Sequence, residues 1–416
     1  MKRPKGGMVM SYIKRSLEPI VMEITKEYPV LLITGPRQVG KTTMLKKLIA
    51  DTPRHYVTLD DLNERALAQK EPALFLQMHK PPVLIDEVQY APELFTYIKM
   101  YVDEHQNAGD FWLTGSQVFK LMRGVQESLA GRMALLSMNT LSQAEISGAV
   151  NSPFTLNLTE LQARQTMRTS LDTHAVFSRI FNGSMPALIS AARTNRDIFY
   201  SSYLSTYVER DVKELSSSID ALKFLRFFTA VAARCSQIIN IAEIAQDADI
   251  NQTQAKNWLN ILETLGIIFY LHPYSNNLLK RLIKKPKLYF YDTGLVCYLT
   301  KWSDALTTET GAANGALLES YVVAEIAKTY LNSGKEPSIY YYRDKDAKEI
   351  DVILQENGVL YPMEIKKSIN PSEQLVRVFK VLDKGAVPNG TGAVVCMNPT
   401  LSAFNKDNFI VPVWLI

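Results

Sequence analysis

The sequence predicts an α/β chain: a parallel sheet with helices on both faces, a helical lid region, a helix-turn-helix with a wing, and a second, smaller α/β unit. Three observations carry this prediction. Short aliphatic runs alternate with helical segments up to about residue 150, the pattern of a parallel sheet with crossover helices. The apolar period then lengthens to that of helices between residues 155 and 265. Strand-like runs return after residue 338, beyond a helix that reads "LLESYVVAEIAKTYL".

The first strand is Val30 to Thr34, in "YPVLLITGPRQVGKTTMLKKLIA", and it runs through a glycine-containing loop into a helix. "HYVTLDD" is a second strand, "PPVLIDEVQ" a third that is aliphatic enough to be buried on both faces, and "GDFWLTGSQ" a fourth. "LAGRMALLSMNTLSQAEI" adds a fifth strand and closes the unit. "ALKFLRFFTAVAARCSQ" and "NIAEIAQDADINQTQAKNWLNILETLGII" are helices with a turn around Asp247 to Ile250, and Trp258, Leu259, Leu262 and Leu265 share one face of the last. Two strands around a basic loop follow and make the unit a winged helix. "SDALTTETGAANGA" has the composition of a linker, and "SIYYYRD", "EIDVILQ", "VLYPMEIKK" and "GAVVCM" are the strands of the last unit.

At 416 residues the chain exceeds a single core, and the expected division is 1–154, 155–215, 216–300 and 301–416. A formal charge of +4 is too small for a chain coated in cations, so any nucleic-acid surface is confined to one region. Cys235, Cys297 and Cys396 are far apart and set among apolar residues, as in a reducing cytoplasm, and no disulfide framework is implied. No stretch approaches the roughly 18 apolar residues of a spanning helix, so no membrane partner is expected. His55, His79, His105, His174 and His272 share no ligand spacing.

Gly35, Pro36, Arg37, Gln38, Val39, Gly40, Lys41 and Thr42 fit the phosphate-loop pattern, with Thr43 next in the helix. The glycines let backbone N–H groups face phosphate oxygens, Lys41 reaches the β- and γ-phosphates of ATP, and the Thr42 hydroxyl ligates Mg2+. Asp86, ending the buried "VLIDE" strand, is the second Mg2+ partner, and Glu87 polarises the attacking water. Ser116 is the candidate sensor of the γ-phosphate, with Thr114 its competitor. Arg132 in "LAGR" and Arg210 in "YVERDV" are the candidates for the cation that meets the transition state.

These stretches, with "YVTLDD", "KLYFYDTGL" and an "EID…EIK" pair, resemble prokaryotic AAA-type P-loop ATPases that carry a winged helix and a carboxy-terminal restriction-endonuclease-like domain of unknown function. The resemblance covers most of the chain in the family's order. It implies an ATPase fused to a nuclease-like fold of the PD-(D/E)xK kind.

Lys280, Arg281, Lys284, Lys285 and Lys287 form the basic wing, with Gln254, Lys256 and Asn257 on the helix before it, a candidate DNA-backbone contact. The bland alternative is a solvated turn, or a loop that packs as a lid on the ATPase core. Asp351 on one strand, and Glu364 and Lys366 on one face of the next, have the D…ExK spacing of metal-dependent nucleases. Glu319 on the preceding helix is the fourth member and Glu325 the second choice, with a second divalent metal as the cofactor of such a site. Ile350 stands where the family pattern has proline. The expectation is a Mg2+-dependent cytoplasmic ATPase acting on or near DNA, with homo-oligomerisation supplying an arginine. The rival readings are a nucleotide-driven switch whose last unit only binds partners, and an ATP-gated endonuclease.

Overall fold

The computed structural model describes residues 12–115, 129–191, 193, 195–207, 220–275 and 285–416. Its first sheet holds β1 (Val30–Thr34), β2 (His55–Thr58), β3 (Val83–Asp86), β4 (Phe111–Thr114) and β5 (Met133–Ser137). All are parallel, in the order β2-β3-β4-β1-β5. Both faces of the sheet are covered. Val30 and Leu32 pack in one core with Phe111 and Leu113, whereas Leu31 and Ile33 pack in another with Leu84 and Trp112. This is the two-residue alternation of a strand, so a continuous aliphatic run is what such a strand requires. Because β4 lies between β1 and β3, the end of β3 stands two strands from the phosphate loop, with Thr114 of β4 between them.

Helices Leu158–Met167, Thr173–Asn182 and Arg196–Tyr207 follow the sheet, then Ala221–Ala233, Ile241–Asp247 and Gln252–Thr264. Phe224 and Phe227 meet the Trp258 ring at centroid distances of 5.1 and 5.2 Å, which ties the first of the last three helices to the third. β6 (Ile268–Leu271) and β7 (Lys287–Phe290) pair antiparallel. Trp258, Leu259, Leu262 and Leu265 are all buried, as the shared helical face requires.

The last unit is the long helix Asn314–Leu331 and a mixed sheet of β8 (Ile339–Arg343), β9 (Glu349–Glu356), β10 (Val359–Lys366), β11 (Gly392–Cys396), β12 (Ser402–Asn405) and β13 (Asn408–Pro412). The order is β12-β13-β11-β10-β9-β8. β8, β9 and β10 run antiparallel, whereas β10, β11 and β13 are parallel, with a 3-10 segment Glu373–Lys384 crossing between β10 and β11.

The expected linker is structured. Asp304 caps the helix Ala305–Thr310 by accepting from Thr307 N at 2.7 Å, and Thr308 is wholly buried. Gly311, which reads as flexibility, is there for close approach: a Cβ on it would stand 2.3 Å from the Trp302 ring. One continuous core runs from Phe154 through the middle helices to Ile416. The long helix is its centre, and it also grips the first unit. Lys328 Nζ donates to Leu141 O at 3.1 Å and pairs with Glu325 Oε1 at 3.0 Å, and Glu325 Oε2 accepts from Gln143 N at 2.7 Å. Glu325 is therefore a buried structural partner, and its second-choice role at the acidic site is corrected. Among the described residues no helix is long and apolar enough to cross a membrane. Cys235, Cys297 and Cys396 are all free and buried.

Candidate functional site

The phosphate loop leaves β1 with Gly35 at φ +136° and enters the helix Lys41–Ile49 through Gly40 at φ +94°. A Cβ on Gly35 would stand 2.0 Å from the Met138 carbonyl oxygen, so only glycine lets the loop pass the chain leaving β5. The buried Lys41 ammonium donates to the carbonyl oxygens of Gly35 at 2.8 Å and Pro36 at 2.7 Å, which holds it over the loop. Arg15 clamps the loop from behind. Its guanidinium donates to Val39 O at 2.6 Å and Asn139 O at 2.7 Å and pairs with the buried Glu145 at 2.9 Å.

Thr42 Oγ1 donates to Asp86 Oδ1 at 2.8 Å, across the two-strand gap. The same oxygen accepts from Thr114 Oγ1, and Asp86 Oδ2 accepts from Tyr56 OH at 3.1 Å. Burial, and then the Asp86 charge, push the Tyr56 hydroxyl up to about 12, so it stays a proton donor. Lys46 covers the Tyr56 ring at 3.6 Å from its centroid. Glu87 follows in the left-handed region at φ +57°, its N–H donating to Thr114 Oγ1 at 3.3 Å and its Oε2 accepting from Gln89 Nε2. A cavity of about 320 Å³ opens beside the loop, lined by Tyr12, Ile13, Gln38, Val39, Pro186 and Arg193 among others.

The structure thus brings together the loop, Asp86, Glu87 and Thr114. Ser116 and Arg210 lie outside the described residues. Arg132 is not at its own chain's loop: it precedes Met133, which pairs with Val30, so it stands a strand length, roughly 13 Å, from Thr34, and it pairs with Asp103. Tyr56, Gln89 and Arg15 were not singled out from sequence. Tyr56 had no local signal, since only the pairing of β2 with β3 sets it beside Asp86. Arg15 had none, because its partners are backbone carbonyls distant in sequence.

A second site is acidic. Lys366 Nζ bridges Asp351 Oδ2 at 3.0 Å and Glu364 Oε2 at 2.7 Å, on the adjacent antiparallel strands β9 and β10. Asp351 Oδ2 also accepts from Ile365 N at 2.9 Å. Burial, and then the Asp351 charge, raise the Glu364 carboxyl to about 8. Burial and Asp351 likewise raise Glu319, against the pull of Lys287. Glu319 Oε1 accepts from Lys287 Nζ at 3.0 Å and from Tyr289 OH at 2.6 Å. Lys287 is therefore corrected as a DNA contact: it is 3 % exposed and turned into this cluster. Lys256 and Lys285 are exposed, while Lys280, Arg281 and Lys284 lie outside the described residues. Among the described residues no three His, Cys, Asp or Glu side chains converge as a metal cage; in this cluster lysine ammonium groups stand between the carboxylates.

Strand order, phosphate loop and acid pair define a P-loop ATPase unit of AAA type, and residues 27–147 match the family model described as AAA domain. The match supports ATP binding and hydrolysis. Residues 173–306 and 314–416 match two further family models, each described as a domain of unknown function. The chain is similar to the uncharacterized proteins Rv2008c of Mycobacterium tuberculosis and Mb2031c of Mycobacterium bovis. Each is 29% identical over 347 residues, 83% of this chain and 71% of the relative. Among solved structures it resembles the Walker-type ATPase PABY2304 of Pyrococcus abyssi, with TM-score 0.45 and 15% identity over 71% of this chain and 98% of that one.

Proposed function

We propose that the chain hydrolyses ATP in the loop Gly35–Thr42, with Thr42 and Asp86 holding Mg2+ and Glu87 taking the proton of the attacking water. The observation that carries this is the 2.8 Å bond between Thr42 Oγ1 and Asp86 Oδ1, which brings both proposed metal ligands to one point with Glu87 next in the chain. A hydroxyl and a carboxylate are hard oxygen donors that fit Mg2+. The ion supplies neutralisation of the β- and γ-phosphate charge. Lys41 exchanges its two loop carbonyls for phosphate oxygens, as stronger, charge-assisted bonds. Thr114 keeps Asp86 and Glu87 aligned through its hydroxyl. The cavity beside Val39 seats the base, with Arg193 at its rim. Arg132, half-buried at the start of the edge strand β5 and paired with Asp103, would have to leave that partner to serve a neighbouring copy.

We further read the middle unit as a winged helix and the last as nuclease-like. A helix, three antiparallel strands, a crossover and a parallel strand, with Asp351 beside Glu364 and Lys366, support the second reading. Action on DNA then uses the exposed Lys256 and Lys285, and salt-dependent binding of duplex DNA tests it. Phosphate release from ATP tests the main reading: Lys41→Ala and Asp86→Asn are each expected to lower kcat/KM by roughly a hundredfold or more. Unchanged turnover in both variants assigns hydrolysis to another protein in the preparation.

A further inference from the structure

Asp86, 5 % exposed, is held by hydroxyls from three sides. Its Oδ1 accepts from Thr42 of the loop helix and Thr114 of β4, whereas Oδ2 accepts from the Tyr56 hydroxyl of β2 at 3.1 Å. The Tyr56 ring is braced in turn. It lies half-buried against the core that holds Leu84 and Trp112, with the Lys46 ammonium 3.6 Å from its centroid. Lys46 follows Thr42 by about one turn of the helix Lys41–Ile49, so the two side chains share a face of it. A closed circuit results: Thr42 to Asp86, Asp86 to Tyr56, Tyr56 to Lys46, and Lys46 back to Thr42 through the helix. The last torsion of an aspartate is soft. Two hydroxyls on one oxygen leave that rotation open, and a third on the other oxygen closes it.

We propose that Tyr56, braced by Lys46, is a positioning residue for Mg2+ at the nucleotide site: it fixes the plane of the Asp86 carboxylate and so sets how tightly, and how selectively, the cation is held with the nucleotide. This rests on the reading of Thr42 and Asp86 as the Mg2+ ligands. Mg2+ demands near-ideal octahedral geometry whereas Ca2+ tolerates irregular coordination, so a ligand held in one orientation favours Mg2+. Hydrogen-bond partners of ligating groups are worth about 10–100-fold in metal affinity. A donor on Oδ2 also draws charge off the carboxylate. Were charge the deciding factor, loss of the hydroxyl would tighten the cation; with orientation deciding, the same loss loosens it.

The test is calorimetry on the full chain with the non-hydrolysable ATP analogue adenylyl imidodiphosphate, in EDTA, in Mg2+ and in Ca2+. Tyr56→Phe keeps the ring, its packing and its Lys46 contact, and removes the hydroxyl alone. It is expected to bind the analogue in EDTA within about twofold of the wild type, to lose roughly tenfold in Mg2+, and to lose less than about threefold in Ca2+. Lys46→Met is expected to lower the Mg2+ affinity by less. A purely structural role for the tyrosine would lower all three affinities together, and that result overturns the proposal, as does unchanged or tighter binding in Mg2+. Asp86→Asn separates the proposal from the reading beneath it. If Asp86→Asn abolishes the gain that Mg2+ brings over EDTA while Tyr56→Phe keeps it in full, the positioning role alone falls. If Asp86→Asn keeps the gain as well, the assignment of the Mg2+ ligands falls with it.

Discussion

Gly35 is the residue at which the nucleotide site tolerates least. Its φ of +136° and the 2.0 Å approach of a Cβ to Met138 O combine backbone strain with a clash against another backbone. Gly35→Ala is expected to lose about 2–3 kcal/mol of stability or to displace the loop, read as a lower melting temperature together with lost ATP affinity. The loop and acid pair were legible in the sequence because their spacing is local and set by phosphate chemistry. Thr114, weighed only as a competitor, makes the bonds that hold Asp86 and Glu87. Tyr56 was not legible as a partner, because strand order decides who stands beside Asp86. Lys287 misled for a related reason. A run of cations reads as one solvated surface, and nothing local marks the member whose acids are Glu319, on a helix 32 residues on, and Glu349 of β9.

At the scale of elements, β1, β3 and β4 were legible as strands because each is an aliphatic run buried on both faces, and the helices through their periodic apolar faces. The stretch from Ser303 to Ala316 was not, since its glycine and threonines serve packing and capping rather than flexibility. β12 and β13 also escaped: β12 is an edge strand, mostly exposed, without an apolar run. The long helix Asn314–Leu331 does the most at this scale. Its buried Lys328 and Glu325 join Leu141 and Gln143, which follow β5, to the carboxy-terminal core. Lys328→Met leaves Glu325 buried without its cation and is expected to cost about 3–5 kcal/mol, measured by denaturant unfolding. A loss under about 1 kcal/mol there would show that the interface is held by apolar packing alone.

At the scale of the whole molecule, four expected units become a first sheet with its own two cores, one continuous core from Phe154 onward, and a further core on the last sheet around Ile353, Leu360 and Val394. The sequence marks changes of pattern, but shared burial arises only once the chain is folded. A fragment of residues 301–416 would expose the face of the long helix that packs on the middle helices, so it is expected to lack a cooperative melting transition by near-ultraviolet circular dichroism. The central claim concerns the first sheet: ATP is bound by the loop and split through Glu87. The most direct measurement is ATP affinity beside single-turnover phosphate release in the Glu87→Gln variant. The expected result is affinity within about threefold of the wild type and release slowed by roughly a hundredfold or more. Release at the wild-type rate in Glu87→Gln, or a wild-type chain that binds no ATP, would contradict it.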